Sequence, residues 1–125
     1  MENTNIEYFN SQLKKFVKDI LTTFPEYNDV LNSYYTDLLN NDKCNDDKYV
    51  KRFMRKTKDI KTQISKKDSS IFEEDIFILK NVNFRELWSK EDLSQTNRDS
   101  IWDYIQMLFV IGQTIISDTS KINDL

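Results

Sequence analysis

The sequence contains no histidine and no alanine, and cysteine, glycine and proline each occur once in 125 residues. Without histidine, the commonest general base, the nucleophile triads built on it and most zinc sites are excluded. The lone glycine, Gly112, falls inside a helical pattern. Walker and dinucleotide-binding loops, which need glycine where backbone meets phosphate, are therefore excluded too. Cys44 has no partner for an internal disulfide and no CxxC motif, and its polar setting from Asn40 to Asp47 fits a reducing compartment. Long apolar runs are also missing: Met107–Ile111 falls far short of the roughly 20 residues that span a bilayer, so no membrane insertion is expected. Met1–Glu7 lacks the basic and apolar regions of a signal peptide, and the cytoplasm is the expected location. Alanine, glycine and proline have GC-rich codons. Their scarcity beside abundant Ile, Asn, Lys and Asp reads as the imprint of an AT-rich genome, and it leaves the helices to be held by packing.

What is present is apolar material in helical register. With 38% hydrophobic residues and sixteen aromatics, the chain has enough apolar surface for one folded domain over 1–125. Ile6, Phe9, Leu13, Phe16, Val17, Ile20 and Phe24 define a first helix that Pro25 interrupts. Tyr27, Val30, Leu31, Tyr34, Tyr35, Leu38 and Leu39 define a second, and Tyr49, Val50, Phe53, Met54, Thr57, Ile60 and Ile64 a third, capped by Asp46 or Asp47. Ile71–Leu79 fits a short helix or a buried strand, and the acids Glu73, Glu74 and Asp75 near its start favour helix. Asn83 caps a short helix carrying Phe84, Leu87 and Trp88. The last helix, from about Ser94 to Ile116, has apolar residues over an arc of about 220°, wider than a surface helix needs. The expected fold is therefore all-α: an irregular bundle of five or six helices with the C-terminal helix central and residues 117–125 as a frayed tail.

No metal or cofactor site emerges. Asp42, Asp46 and Asp47 superficially suggest calcium, but an EF-hand loop starting at Asp42 has Asp47 where glycine belongs and Phe53 where glutamate belongs. Glu73, Glu74 and Asp75 are better explained by the positive end of a helix dipole. Aromatics at helical spacing, including Tyr34, Tyr35, Trp88, Trp102 and Tyr104, read first as core, and Gly112 as a point of close helix approach.

One feature stands out electrically. Between Lys48 and Lys67 lie nine basic residues and one acid, so a local charge of +8 sits in a chain of net −3, leaving −11 elsewhere. On a helical wheel Lys48, Lys51, Arg52, Arg55, Lys56 and Lys58 share an arc of about 160° opposite the apolar face. The plain reading is a solvated face that balances acidic helices. Read functionally, the stripe fits an acidic protein surface first, a nucleic-acid backbone second, since net negative charge opposes steering to polyphosphate, and an anionic lipid surface last. The sequence gives no oligomeric state.

Phe77-Ile78-Leu79-Lys80-Asn81-Val82-Asn83-Phe84-Arg85-Glu86-Leu87-Trp88, then Leu93-Ser94 and Ile101-Trp102-Asp103-Tyr104-Ile105-Gln106-Met107-Leu108-Phe109, carry a resemblance. So do Phe9, Leu13, Phe16, Asp19 and Phe24-Pro25-Glu26-Tyr27. The pattern resembles a group of proteins of nucleocytoplasmic large DNA viruses, in which a phrase like F-L-P-G-I-D-F…L-W precedes T-I-W-K-Y-L-Q. Lys80-Asn81 stands where that group often has Pro-Gly. The resemblance implies a viral protein acting in the host cytoplasm or viral factory, or packaged in the virion. It supplies no catalytic residue. The combined expectation is a non-enzymatic helical interaction or adaptor protein, with nucleic-acid binding through residues 48–67 as the alternative.

Overall fold

A computed structural model describes the backbone of residues 2–123 and the side chains of residues 5–117. Among the described residues the chain forms six α-helices and three short 3-10 turns. Helix α1 (Glu2–Thr23) buries Phe9, Leu13, Phe16, Val17 and Ile20 as the periodicity predicts. Phe24 leaves the helical region at φ −131° ahead of Pro25, whose fixed ring opens a 3-10 turn over Pro25–Tyr27. The turn runs straight into α2 (Asn28–Asn40), which bends at Tyr35 and buries Leu31, Tyr35 and Leu38.

The polar loop that follows is anchored from α1. Asn10 is buried, and its Nδ2 donates to the carbonyls of Cys44 and Asp46, each at 3.0 Å. Asp46 Oδ1 accepts from Lys48 N at 2.9 Å, which starts α3 (Lys48–Thr57). The third helix of the sequence reading is in fact two. Thr57 turns its hydroxyl back to the Phe53 carbonyl, a bond that bends helices, and Ile60 adopts φ −120°, ψ 25°. A 3-10 turn (Lys58–Ile60) and the short α4 (Lys61–Ser65) result.

The stretch Ile71–Leu79 corrects the expectation of a helix. A 3-10 turn covers Ser69–Glu73, held by Asp68 accepting from Ser70 N, and the chain then extends from Glu74 onward. Its backbone groups find partners elsewhere, which removes the need for helical bonds. Ile76 N donates to Asn83 Oδ1, the Ile76 carbonyl accepts from Phe84 N at 2.7 Å, and Lys80 N donates to the Tyr35 hydroxyl at 3.0 Å. A tight turn joins Leu79 to Val82, with Asn81 at φ 65°. Asparagine is among the few non-glycine residues that tolerate this left-handed conformation. It also explains how Lys80-Asn81 serves in a place suited to Pro-Gly.

Asn83 then caps α5 (Phe84–Trp88) by accepting from Arg85 N. Ser94 and Asn97 cap α6 (Gln95–Asn123) reciprocally: Ser94 Oγ accepts from Asn97 N, and Asn97 Oδ1 accepts from Ser94 N. Helix α6 extends through 117–123, beyond the limit set by the apolar pattern, and residues 124–125 of the expected tail lie outside the described residues.

The architecture is the expected all-α bundle. Helix α6 packs on α1, α3 and α4, while α1 packs on α6, α2 and α3. The two long helices run antiparallel: Phe16 stacks on Tyr104 at 5.0 Å, and Tyr8 shares a surface groove with Val110 and Ile111. A Cβ on Gly112 would lie 2.5 Å from Met54 Sδ, so the flexible end of Met54 from α3 fills the space left by the absent side chain on α6. Phe72, Trp88 and Trp102 close one end of the core, with the Phe72 and Trp88 rings 4.3 Å apart.

Two stability predictions follow from these bonds. Asn83→Ala removes an acceptor shared by α5 and the extended segment, and should cost about 1–2 kcal/mol in urea unfolding. An unchanged midpoint would show that water replaces it. Burial is the leading cause that pushes Tyr35, Tyr49 and Tyr104 each up to about 12. Folded pKa values above the unfolded value of about 10 mean stability that is intact below pH 10 and lost as pH rises toward 12. A tyrosinate absorbance titration should therefore show a late-ionising fraction in the native protein that denaturant abolishes.

Candidate interaction surface

The stripe is built by α3 and the turn after it. Burying Tyr49, Val50 and Phe53 against the bundle obliges the opposite face of α3 to carry its charges outward. Lys48, Lys51, Arg55, Lys56 and Lys58 are exposed, as the wheel predicts. Arg52 is not. It is only 5% exposed, and it donates from Nη1 to the Ile78 carbonyl at 2.8 Å and from Nη2 to the Phe77 carbonyl at 2.7 Å.

This correction has a physical reason that the wheel could not supply. Arg52 lies within the polar arc, between Lys48 and Lys56 on the wheel, and the extended segment 74–79 lies against it with carbonyls that no helix satisfies. The forked guanidinium meets two such oxygens at once, a geometry that lysine cannot match. Burial lowers the Arg52 pKa from its ordinary value, and the nearby Tyr35 works in the opposite direction. Arg52 is therefore a clamp between α3 and the segment carrying Phe77, and it is withdrawn from any partner.

The remaining cations divide into two groups. Near the start of α3, Lys51 pairs with Asp47 at 3.0 Å, and Lys48 approaches Asp46 at 3.9 Å. Both pairs are exposed, so each holds its lysine by a fraction of a kcal/mol at most. Further along, Arg55, Lys56, Lys58, Lys61 and Lys66 are exposed and form no ion pair among the described residues. Elsewhere the cations are mixed: Lys14, Arg85 and Lys90 each meet an acid, while Lys15, Lys18, Lys43 and Lys80 are exposed and form no ion pair among the described residues.

The fold adds residues that the sequence pattern did not assign to this surface. Lys80, from the Leu79–Val82 turn, places its ammonium 5.8 Å from the centre of the Tyr34 ring, and Lys48 lies 5.7 Å from the same ring. Tyr34 is half-buried, edge-on to Tyr35 and Tyr49. Phe77 remains 39% exposed on the segment that Arg52 holds. Only the Ile76–Leu79 run beside Lys80 hinted at this, because Lys80 lies 23 positions beyond the end of α3 and nothing in local periodicity joins them.

Among the described residues, no group of Cys, Asp or Glu side chains is placed to hold a metal ion, and no helix is long and apolar enough to cross a membrane. The surface offers exposed cations beside the faces of Tyr34 and Phe77. The division between clamp and stripe is open to measurement. Arg52→Met should destabilise the fold by about 2–3 kcal/mol by stripping two buried carbonyls of their donor, whereas Arg55→Met should stay within about 0.5 kcal/mol. Equal effects of the two substitutions on the unfolding midpoint would refute the assignment.

No protein-family model matches the chain, and no curated protein or solved structure does either.

Proposed function

We propose that the protein is a non-enzymatic helical interaction module that docks an acidic protein partner through Lys48, Lys51, Arg55, Lys56 and Lys58. The observation that carries this reading is the row of exposed cations on one face, of which Arg55, Lys56 and Lys58 form no ion pair among the described residues, on a chain whose net charge is −3. Concentrating like charge on one face is unfavourable to the isolated fold, and an acidic partner would relieve it. The missing histidine and the burial of the only glycine against Met54 support a non-enzymatic role. The resemblance of the 77–109 region to proteins of large DNA viruses supports action in the cytoplasm, viral factory or virion of such a virus.

A second reading has an observation of its own. Tyr34 beside Lys48 and Lys80, together with exposed Phe77, supplies the aromatic faces and cations that single-stranded nucleic acid uses. The acidic remainder of the chain weighs against it, because −11 outside the stripe repels a polyphosphate at long range.

The test is capture of partners from infected cells by the tagged chain, with and without nuclease. A stoichiometric acidic protein should survive nuclease, and the double variant Arg55→Glu, Lys58→Glu should weaken it at least about tenfold at low salt. Loss of all partners with nuclease would transfer the surface to the second reading. Binding that ignores both salt and the double variant would sink both.

A further inference from the structure

Among the described residues three large hydrophobic side chains stand more than a third exposed: Tyr8, Phe77 and Val110. Tyr8 and Val110 share the α1–α6 groove, whose one charged lining residue, Asp103, is paired with Lys67 at 3.5 Å. That groove offers no free charge by which to select an occupant. Phe77 differs, because its segment lies against α3 and the cations of the stripe.

The backbone dictates how Phe77 is presented. Side chains alternate along an extended chain, so Ile78 enters the core, Ile76 is half-buried and Phe77 turns outward. The segment is held from three sides: Arg52 donates to the Phe77 and Ile78 carbonyls, the Tyr35 hydroxyl accepts from Lys80 N, and Asn83 Oδ1 accepts from Ile76 N. The ring is therefore positioned before any partner arrives, and little of its ordering cost falls on association. Cations stand beside it. Lys48 lies one helical turn before Arg52, and Lys80 lies three residues after Phe77. Their ammoniums are 5.7 and 5.8 Å from the centre of the Tyr34 ring, so one half-buried aromatic gathers two charges from elements far apart in the chain.

We propose that the acidic partner docks through a short segment in which one aromatic side chain packs on Phe77 while flanking carboxylates meet Lys48 and Lys80. The inference rests on the acidic-partner reading and adds what that partner must carry. The ammoniums supply an attraction that many acidic surfaces would share. Phe77 supplies the discrimination, because an aromatic pair gains from ring contact as well as from burial. A polynucleotide fits less well, since stacking of successive bases needs a row of open rings. Here Phe77 is the exposed aromatic, and Tyr34 already has two ammoniums over it.

The experiment measures, by fluorescence anisotropy at low salt, binding of the full chain to two labelled peptides of equal charge, Glu-Glu-Trp-Glu-Glu and Glu-Glu-Ser-Glu-Glu. The wild type should bind the tryptophan peptide at least about fivefold more tightly. Phe77→Ser should erase that preference and leave the serine peptide unchanged, whereas Phe77→Tyr should keep it. Lys48→Gln combined with Lys80→Gln should weaken both peptides by a similar factor of about three or more. Thermal unfolding of each variant separates a binding defect from a folding defect. Equal affinity of the wild type for the two peptides, or a preference that survives Phe77→Ser, would overturn the inference and leave the acidic partner in place. Failure of the folded wild type to bind either peptide would overturn it as well. Tryptophan-peptide binding that ignores both salt and the double lysine variant would take the acidic-partner reading down with it. Tighter binding of an oligothymidylate of equal charge, lost in Phe77→Ser, would overturn the inference and give the surface to single-stranded nucleic acid.

Discussion

Because the chain has no alanine and one glycine, its helices gain little from intrinsic propensity, and the antiparallel seam between α1 and α6 carries the fold. Each helix brings a continuous apolar stripe, Phe9 to Ile20 on one side and Ile101 to Ile115 on the other. Burying a side chain such as Phe16 or Leu108 contributes about 1.5–3 kcal/mol, so a seam of this length outweighs any single cap or ion pair. The shorter elements lean on it. Helix α3 meets α6 at Gly112, and α2 reaches the seam through α1 and the Pro25 turn.

The part of the molecule that is not helical depends on a different device. Segment 74–83 has no regular ladder of its own, and it is tied by side chains from three helices: Arg52 of α3, Tyr35 of α2, and Asn83 at the start of α5. Buried polar atoms of this sort are tolerated only when bonded. Two exceptions stand out in the buried set, Asn10 Oδ1 and the Tyr49 hydroxyl, which meet no hydrogen-bond partner. Both face the neighbourhood of Cys44 and the 41–47 loop, the region where one water would suffice to satisfy Asn10 beside a cavity of about 10 Å³.

The sequence made the long helices legible because their apolar residues recur at three and four over many turns, and because Pro25, Asn83 and Ser94 mark boundaries with a known mechanism. It failed where the deciding partner is remote. Ile71–Leu79 is apolar enough for either a helix or an extended chain, and the acids at 73–75 favoured helix on local grounds. The carbonyls of Phe77 and Ile78 instead find Arg52, which lies 25 and 26 residues away. The same contact explains the site error. Arg52 shares its arc with Lys48, Lys51 and Arg55, and a wheel assigns all four to solvent because it knows nothing of the segment lying against Arg52. Of the six residues expected in the stripe, five are exposed, and Lys80 and Tyr34 enter only through the fold.

Removing Arg52 from the surface sharpens what the surface is. One of the two guanidiniums of the stripe, that of Arg52, is used internally, and four of the five exposed members are lysines, with Arg55 the fifth. Lysine ammoniums are strongly hydrated point charges on flexible stems, which suit a mobile acidic surface better than a fixed phosphate register. A contact of that kind draws on long-range attraction more than on fitted geometry, so salt should weaken it smoothly and no single cation should dominate. The division of labour within α3 is thus electrostatic as well as spatial: Arg52 builds the fold, and Arg55 and the lysines remain available to a partner.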